Sequence, residues 1–206
     1  MLDLLAPGPY HCYLCGRESV LDAEGLCEEC RTQVLLCPTP SYLQPLDGLS
    51  VGLQYNDLLK RAILSMKMHR NRQFAPFLAQ YLTIPDAWQA DVLVPVPMHP
   101  ARELVRGFNH SELLTQYLSA RTKIPYSSAL LAKTRYSLPQ KRFLDPAARR
   151  KNIRNSFTAD PACKGLRIVL IDDIFTTGAT VYECAKTLKQ AGAIRVYACC
   201  VASSSR

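Results

Sequence analysis

Apolar positions recur along the chain with two different periods. Between Tyr55 and Tyr81, Leu58, Leu59, Ile63, Leu64 and Met66 return at helical spacing. The polar stretch from Asn71 to Phe74 interrupts that pattern ahead of a second helix carrying Phe77, Leu78 and Leu82. Asp91-Val92-Leu93-Val94-Pro95-Val96-Pro97 reads as a short β-branched strand closed by prolines. Helical spacing resumes from Gly107 to Arg121, with Leu113, Leu114, Tyr117 and Leu118 on one face. Leu130-Leu131-Ala132 is a short strand. Residues 165–172 form a buried strand, Thr180 to Gln190 a helix and Ala193 to Ala202 a last strand. Strands alternating with helices predict an α/β domain with a mostly parallel sheet flanked by helices.

Two segments fall outside this alternation. The first 35 or so residues are cysteine-rich and too short for a core of their own, and a proline-marked stretch from Cys37 to Pro45 follows as a linker. This divides the chain into a module with its linker, residues 1–45, and a larger domain, residues 46–206. Residues 133–157 are polar, basic and weakly periodic, which predicts a long loop with a single helical turn. A loop of that length inside a domain is usually functional.

A hydrophobic fraction of 48% with 20% charged residues describes a globular protein with a real core. No apolar run approaches the roughly 18 residues that cross a bilayer, so no membrane span is expected. Met1-Leu2-Asp3-Leu4-Leu5-Ala6-Pro7 has neither the basic flank nor the apolar length of a secretory signal, so a cytoplasmic location is the expectation. Nine cysteines fit that compartment as thiols and metal ligands. Charge is divided unequally. Residues 1–45 hold two basic and six acidic residues, net −4, and the remainder holds 23 basic and 11 acidic, net +12. The larger part therefore expects an anionic partner: phosphate, pyrophosphate or nucleic acid.

Cys12-x2-Cys15 and Cys27-x2-Cys30, eleven residues apart, form a pair of metal knuckles. Each presents two thiolates to one tetrahedral ion, and Gly16 and Gly25 suit tight turns beside them. Redox-active dithiols or simple disulfides are the alternatives. In a cytosolic chain, a segment unable to fold without a cross-link favours zinc. Four protein ligands leave no open position, so the site is expected to be structural. His11 beside Cys12 reads as a surface histidine.

The sharpest signal is Ile168-Val169-Leu170-Ile171-Asp172-Asp173-Ile174-Phe175-Thr176-Thr177-Gly178-Ala179-Thr180. Ligands of parallel α/β sheets collect at the carboxyl ends of the strands. The turn from Thr176 to Thr180 offers backbone amides, hydroxyls and a helix N-terminus to one phosphate. Asp172 and Asp173 would repel that phosphate, but they suit the vicinal hydroxyls of the ribose carrying it. A strand–turn–helix with a capping threonine is the plainer reading. The stretch resembles the PRPP-binding signature of type I phosphoribosyltransferases. That resemblance implies Asp172 and Asp173 on the ribose hydroxyls and Thr176, Thr177, Gly178, Ala179 and Thr180 around the 5-phosphate.

Val94-Pro95-Val96-Pro97-Met98-His99-Pro100, Arg102, Arg106-Gly107-Phe108-Asn109-His110-Ser111, Gln140 and Arg149-Arg150-Lys151-Asn152 narrow the resemblance, together with the four-cysteine front. On these the chain is identified as a member of the ComF/GntX family, similar to the ComFC type associated with natural transformation. The resemblance implies a pyrophosphate held by the turn Val96, Pro97, Met98 and His99. Two prolines in so short a turn admit a cis peptide. Arg102 and Arg106, four apart, would face the diphosphate from one side of a helical turn. The loop over 133–157 corresponds to the family's flexible catalytic loop, with Arg142, Arg149, Arg150 and Lys151 as its cations; a solvated face or a nucleic-acid patch is the other reading of that run. Lys67 is notable by the same resemblance, without a role. Only residues 36–60 and the cysteine module remain to form a hood over a nucleobase.

Two functions follow. In the first, the protein transfers a phosphoribosyl group from Mg2+–PRPP to an unknown acceptor, with magnesium carried largely by substrate oxygens. In the second, it is a non-catalytic partner in DNA uptake that handles single-stranded DNA or assembles with a competence helicase or other DNA-processing protein.

Overall fold

Four strands form one parallel sheet in the computed structural model, which describes residues 10–38, 42, 44–68, 72, 74–136 and 146–204. They are β3 (Gly48–Gln54), β4 (Val92–Pro95), β7 (Arg167–Phe175) and β8 (Arg195–Ser203), in the order β3-β8-β7-β4. Val169 lies opposite Leu93 on one side and Tyr197 on the other. Strands covered on both faces read as nearly continuous apolar runs, which is why Ile168 to Ile171 and Val196 to Ala202 are so uniformly hydrophobic. Alternate residues feed two cores. Leu93, Val169, Ile171, Cys199 and Val201 meet Leu58, Ile63, Phe77, Leu114 and Leu118 from α2 (Asp57–Met68), α3 (Phe74–Ala79) and α5 (His110–Thr122). Val94, Ile168, Leu170, Val196 and Cys200 meet Val181, Cys184 and Leu188 of α7 (Ala179–Gln190), together with Leu131, Ile153 and Phe157.

Several expectations change in the folded chain. Residues 48–54 do not join a hood but form an edge strand of the sheet, pairing with β8 from Gly48 opposite Tyr197 onward. Two glycines and a serine had thinned the apolar pattern there. The linker begins as part of the same edge, with Leu36 bridged to Leu53 and the Cys37 amide donating to the Gly52 carbonyl at 2.9 Å. The helix expected from Gly107 begins only at His110, and a separate helix that the pattern did not predict precedes it. α4 (Pro100–Arg106) is closed by Gly107 at φ 88°, and α5 starts anew behind the Asn109 cap. Tyr117 and Leu64, assigned by spacing to buried faces, are exposed.

The loop expected over 133–157 is partly regular. β5 (Leu131–Lys133) pairs antiparallel with β6 (Phe157–Ala159), and α6 (Pro146–Ile153) lies between them in sequence. The amino-terminal module contributes the hairpin β1 (Tyr10–His11) and β2 (Glu18–Ser19) and the short helix α1 (Glu28–Gln33). Leu14 and Leu26 enter the same core as Leu58, Leu59 and Phe77. Tyr13 stacks on Phe77 at 6.0 Å, and the Tyr81 hydroxyl donates to Glu24.

Candidate functional site

Beyond the carboxyl ends of β4 and β7 a cleft of about 380 Å³ opens. Its walls bring together most of the residues that the sequence singled out: Val96, Pro97, Met98 and His99 from the turn after β4, Arg102 and Arg106 from α4, Asp172 and Asp173 from β7, and Thr176, Gly178, Ala179 and Thr180 from the turn into α7. Thr177 is not among the lining residues; its hydroxyl is buried without a hydrogen-bond partner among the described residues. Arg142 and the side chain of Arg149 lie outside the described residues, and Arg150 faces a different cavity.

Local structure fixes each wall. β7 does not stop before the carboxylates but pairs with β8 through Phe175, so Asp172 and Asp173 are held by the sheet. Gly178 follows at φ 71° as the N-cap of α7, with no side chain capping the helix. The first turn of that helix lines the cleft, and the positive end of its dipole favours an anion there. In the turn after β4, the Val96 amide is spent on the Ile171 carbonyl at 2.9 Å and Pro97 has none. The amides of Met98 and His99 are what that turn can offer a ligand. Its peptides are all trans, the cis bond among the described residues being Gln44–Pro45. Asn109 clamps the turn to α5, donating from Nδ2 to the Val96 carbonyl and accepting from the Ser111 amide, both at 3.1 Å.

The carboxylates sit in unlike surroundings. Asp172 accepts from the Ser111 hydroxyl at 3.0 Å and from the Asp173 amide at 2.9 Å. Burial, and then the charge of Asp173, push it up to about 7. Asp173 is buried too, but the ammonium of Lys67, the last-turn cation of α2, pairs with it and holds its carboxyl below the usual range. Arg106 Nη1 donates to His110 Nε2 at 2.9 Å. Burial drives His110 down to about 4, against the pull of Asp173 and with the help of Lys67 and Arg106. The imidazole is therefore neutral, with its proton on Nδ1. Lys67, Asn109, His110, Ser111 and Lys133 all line the cleft. Sequence reasoning gave none of them a role, although Asn109 ahead of a helical run is a legible cap signal.

The chain is 31% identical over 221 aligned residues to the DNA utilization protein YhgH of Escherichia coli O157:H7, an alignment covering 94% of this chain and 96% of the relative. The chain belongs to the ComF family. It is also 28% identical to the competence protein ComFC of Bacillus subtilis, over 88% of this chain and 72% of the relative, and 31% identical to competence protein F of Haemophilus influenzae, over 54% and 52%. No family model matches the sequence. Among solved structures, the glutamine phosphoribosylpyrophosphate amidotransferase of B. subtilis aligns with a TM-score of 0.39 at 26% identity. It covers 62% of this ComF protein, which spans a quarter of that longer chain.

The second site is the cysteine cluster. The four Sγ atoms of Cys12, Cys15, Cys27 and Cys30 lie within 4.8 Å of one another, and those of Cys15 and Cys27 are 3.8 Å apart. Four sulfurs bound at about 2.3 Å to one tetrahedral ion stand about 3.8 Å from each other. The Cys27 amide donates to Cys12 Sγ at 3.4 Å, the kind of bond that supports a thiolate. The cluster is compatible with structural zinc. Among the described residues no helix is long and apolar enough to cross a membrane.

Proposed function

We propose that the cleft binds PRPP with Mg2+ and that this ComF protein is a phosphoribosyltransferase-like protein acting in DNA uptake. One juxtaposition carries the reading: an uncapped helix N-terminus, two carboxylates and two arginines line a single cleft. The first turn of α7 takes the 5-phosphate through its amides. Asp172 and Asp173 accept from the ribose hydroxyls, with Lys67 exchanging part of its hold on Asp173. Arg102, Arg106 and the amides of Met98 and His99 face the diphosphate. In transfer, the C1–O bond breaks with its electron pair leaving on pyrophosphate, where the arginines stabilise the growing charge. The acceptor supplies the new bond to C1 and gives up its proton. Lys133 and Ile153, from the described parts of the segment over 133–157, line this side of the cleft, where a catalytic loop would serve. Cys12, Cys15, Cys27 and Cys30 hold one structural zinc in a module that ends near residue 45.

The test is calorimetry with Mg2+–PRPP. Wild type binds, and Asp172→Ala combined with Asp173→Ala abolishes binding, since each lost charge-assisted bond costs about 1.5–3 kcal/mol. Unchanged affinity in the double variant removes the ribose from this place. An acceptor screen on a binding-competent protein then decides turnover.

A second reading, handling of single-stranded DNA, has its own observation. A cavity between α6 and α7 is lined by Arg150, Lys151, Arg154 and Lys186, with Glu183 the one acid among its described lining residues. Ile153 and Ala179 belong to both this cavity and the cleft. Four cations beside a ribose-phosphate site suit a phosphodiester chain, and the relatives include a DNA utilization protein. Binding to labelled single strands should weaken steeply with salt, and Arg150→Ala with Lys151→Ala and Arg154→Ala should flatten that slope. No shift of wild-type protein at low salt defeats this reading.

A further inference from the structure

Four cations border the cleft, and three have other engagements. Lys67 pairs with Asp173, Arg106 donates to His110, and Arg102 lies over the Tyr136 ring at 5.3 Å with a further contact. Lys133 differs. It ends β5, opposite Phe157 of β6, and its Nζ sits 5.3 Å from the centre of the Phe157 ring. Among the described residues it has no carboxylate or carbonyl partner. A half-buried ammonium lining a cleft, with an aromatic face below it and no ion-pair partner among the described residues, is placed to take up a bound anion.

We propose that Lys133 is the third cation of the diphosphate subsite, its ammonium donating to a phosphoryl oxygen beside Arg102. This rests on the reading of the cleft as a PRPP site. Lys133 stands at the root of the segment over 133–157, so it would contact the leaving group whatever that segment does.

Its surroundings give the proposal a signature that the arginines cannot produce. Burial, and then the charge of Arg102, push Lys133 down to about 8. The groups facing it are Arg102 of α4, Asp172 of β7, Cys184 of α7 and the neighbouring Arg135, with the Phe157 ring of β6 beneath. Cys184 is fully buried, which raises its thiol well above the ordinary value, and it stays neutral. Asp172, pushed up by its burial, also changes charge near neutrality, and Lys133→Arg separates the two because it leaves Asp172 in place. The neutral form of Lys133 becomes populated as pH rises through 8, and an anion beside Lys133 favours its charged form. A bound diphosphate restores its proton, so binding takes up a proton from solution and weakens as pH rises through 8.

The test is calorimetry of Mg2+–PRPP and of Mg2+–pyrophosphate between about pH 7.5 and 9, in buffers of unlike ionisation enthalpy. Wild type should show proton uptake and an affinity that falls with pH. Lys133→Arg should bind both ligands with less proton uptake and a shallower fall with pH than wild type. Lys133→Met should lose about tenfold to a hundredfold in affinity while its thermal transition stays in place. Wild-type affinity in Lys133→Met, or wild-type pH dependence in Lys133→Arg, overturns the role of Lys133 and leaves the PRPP site standing. Failure of wild type to bind either ligand overturns both.

Discussion

Asp172 and Asp173 are neighbours in sequence with the same side chain, yet the fold gives them opposite titrations. Lys67 reaches one of them, whereas Ser111 and a backbone amide reach the other. The consequence for stability has a definite sign. Asp172 is raised above its unfolded value of 3.8, so between about pH 4 and 7 the folded chain binds the extra proton. Stability from this group is complete below pH 4 and is lost as pH rises towards 7. Asp172→Asn should therefore gain on wild type across that window, by about 2 kcal/mol or 4–8 °C of Tm at neutral pH, and the gain should level off above it. Melting curves at several pH values check this; a constant difference would show that Asp172 is not strained. Asp173 behaves oppositely. Its contribution is present above its unfolded value and is lost on acidification. Lys67→Met should abolish that contribution and destabilise the protein at neutral pH by about 3 kcal/mol, since it leaves a buried carboxylate unpaired.

Among the elements, the two that build the cleft depend on single positions where the chain changes direction. Gly178 turns β7 into α7 at φ 71°, and a Cβ there would meet the Tyr182 ring at 2.4 Å and the Phe175 ring at 2.9 Å. Gly178→Ala should cost about 1–2 kcal/mol from the backbone alone. Its larger effect should be on the turn proposed to hold the 5-phosphate, with PRPP affinity reduced at least tenfold in calorimetry. Asn109 does the equivalent work at the other wall. Asn109→Ala removes the α5 cap and leaves the Val96 carbonyl without its side-chain donor, which should lower stability by about 2 kcal/mol and loosen the turn that presents Met98 and His99. Both positions are readable in the sequence by type, a glycine after Thr-Thr and an asparagine ahead of a helical run. What Asn109 holds is not readable, because its partner Val96 is thirteen residues away on another element.

At the scale of the whole molecule, the cysteine module and the sheet are parts of one core. Leu14 and Leu26 pack with Leu58, Leu59 and Phe77, and residues 35–37 extend the β3 edge. Removing metal with a strong chelator, or Cys30→Ser, should lower one cooperative melting transition of the entire chain by 5 °C or more. A separate low transition with the main one unchanged would mean that the module folds by itself. Metal analysis should find one zinc per chain. The sequence by itself determined the alternating pattern of the sheet and its helices, the four thiols and the stretch from Asp172 to Thr180, because each is carried by local spacing or by contiguous residues. Only the tertiary structure decided the rest. It added β3 to the sheet, because pairing with β8 compensates for a glycine-thinned strand. It also placed Lys67 on Asp173 and Lys133 in the cleft, and drew His110 to neutrality, because burial and charge at those sites come from elements remote in sequence.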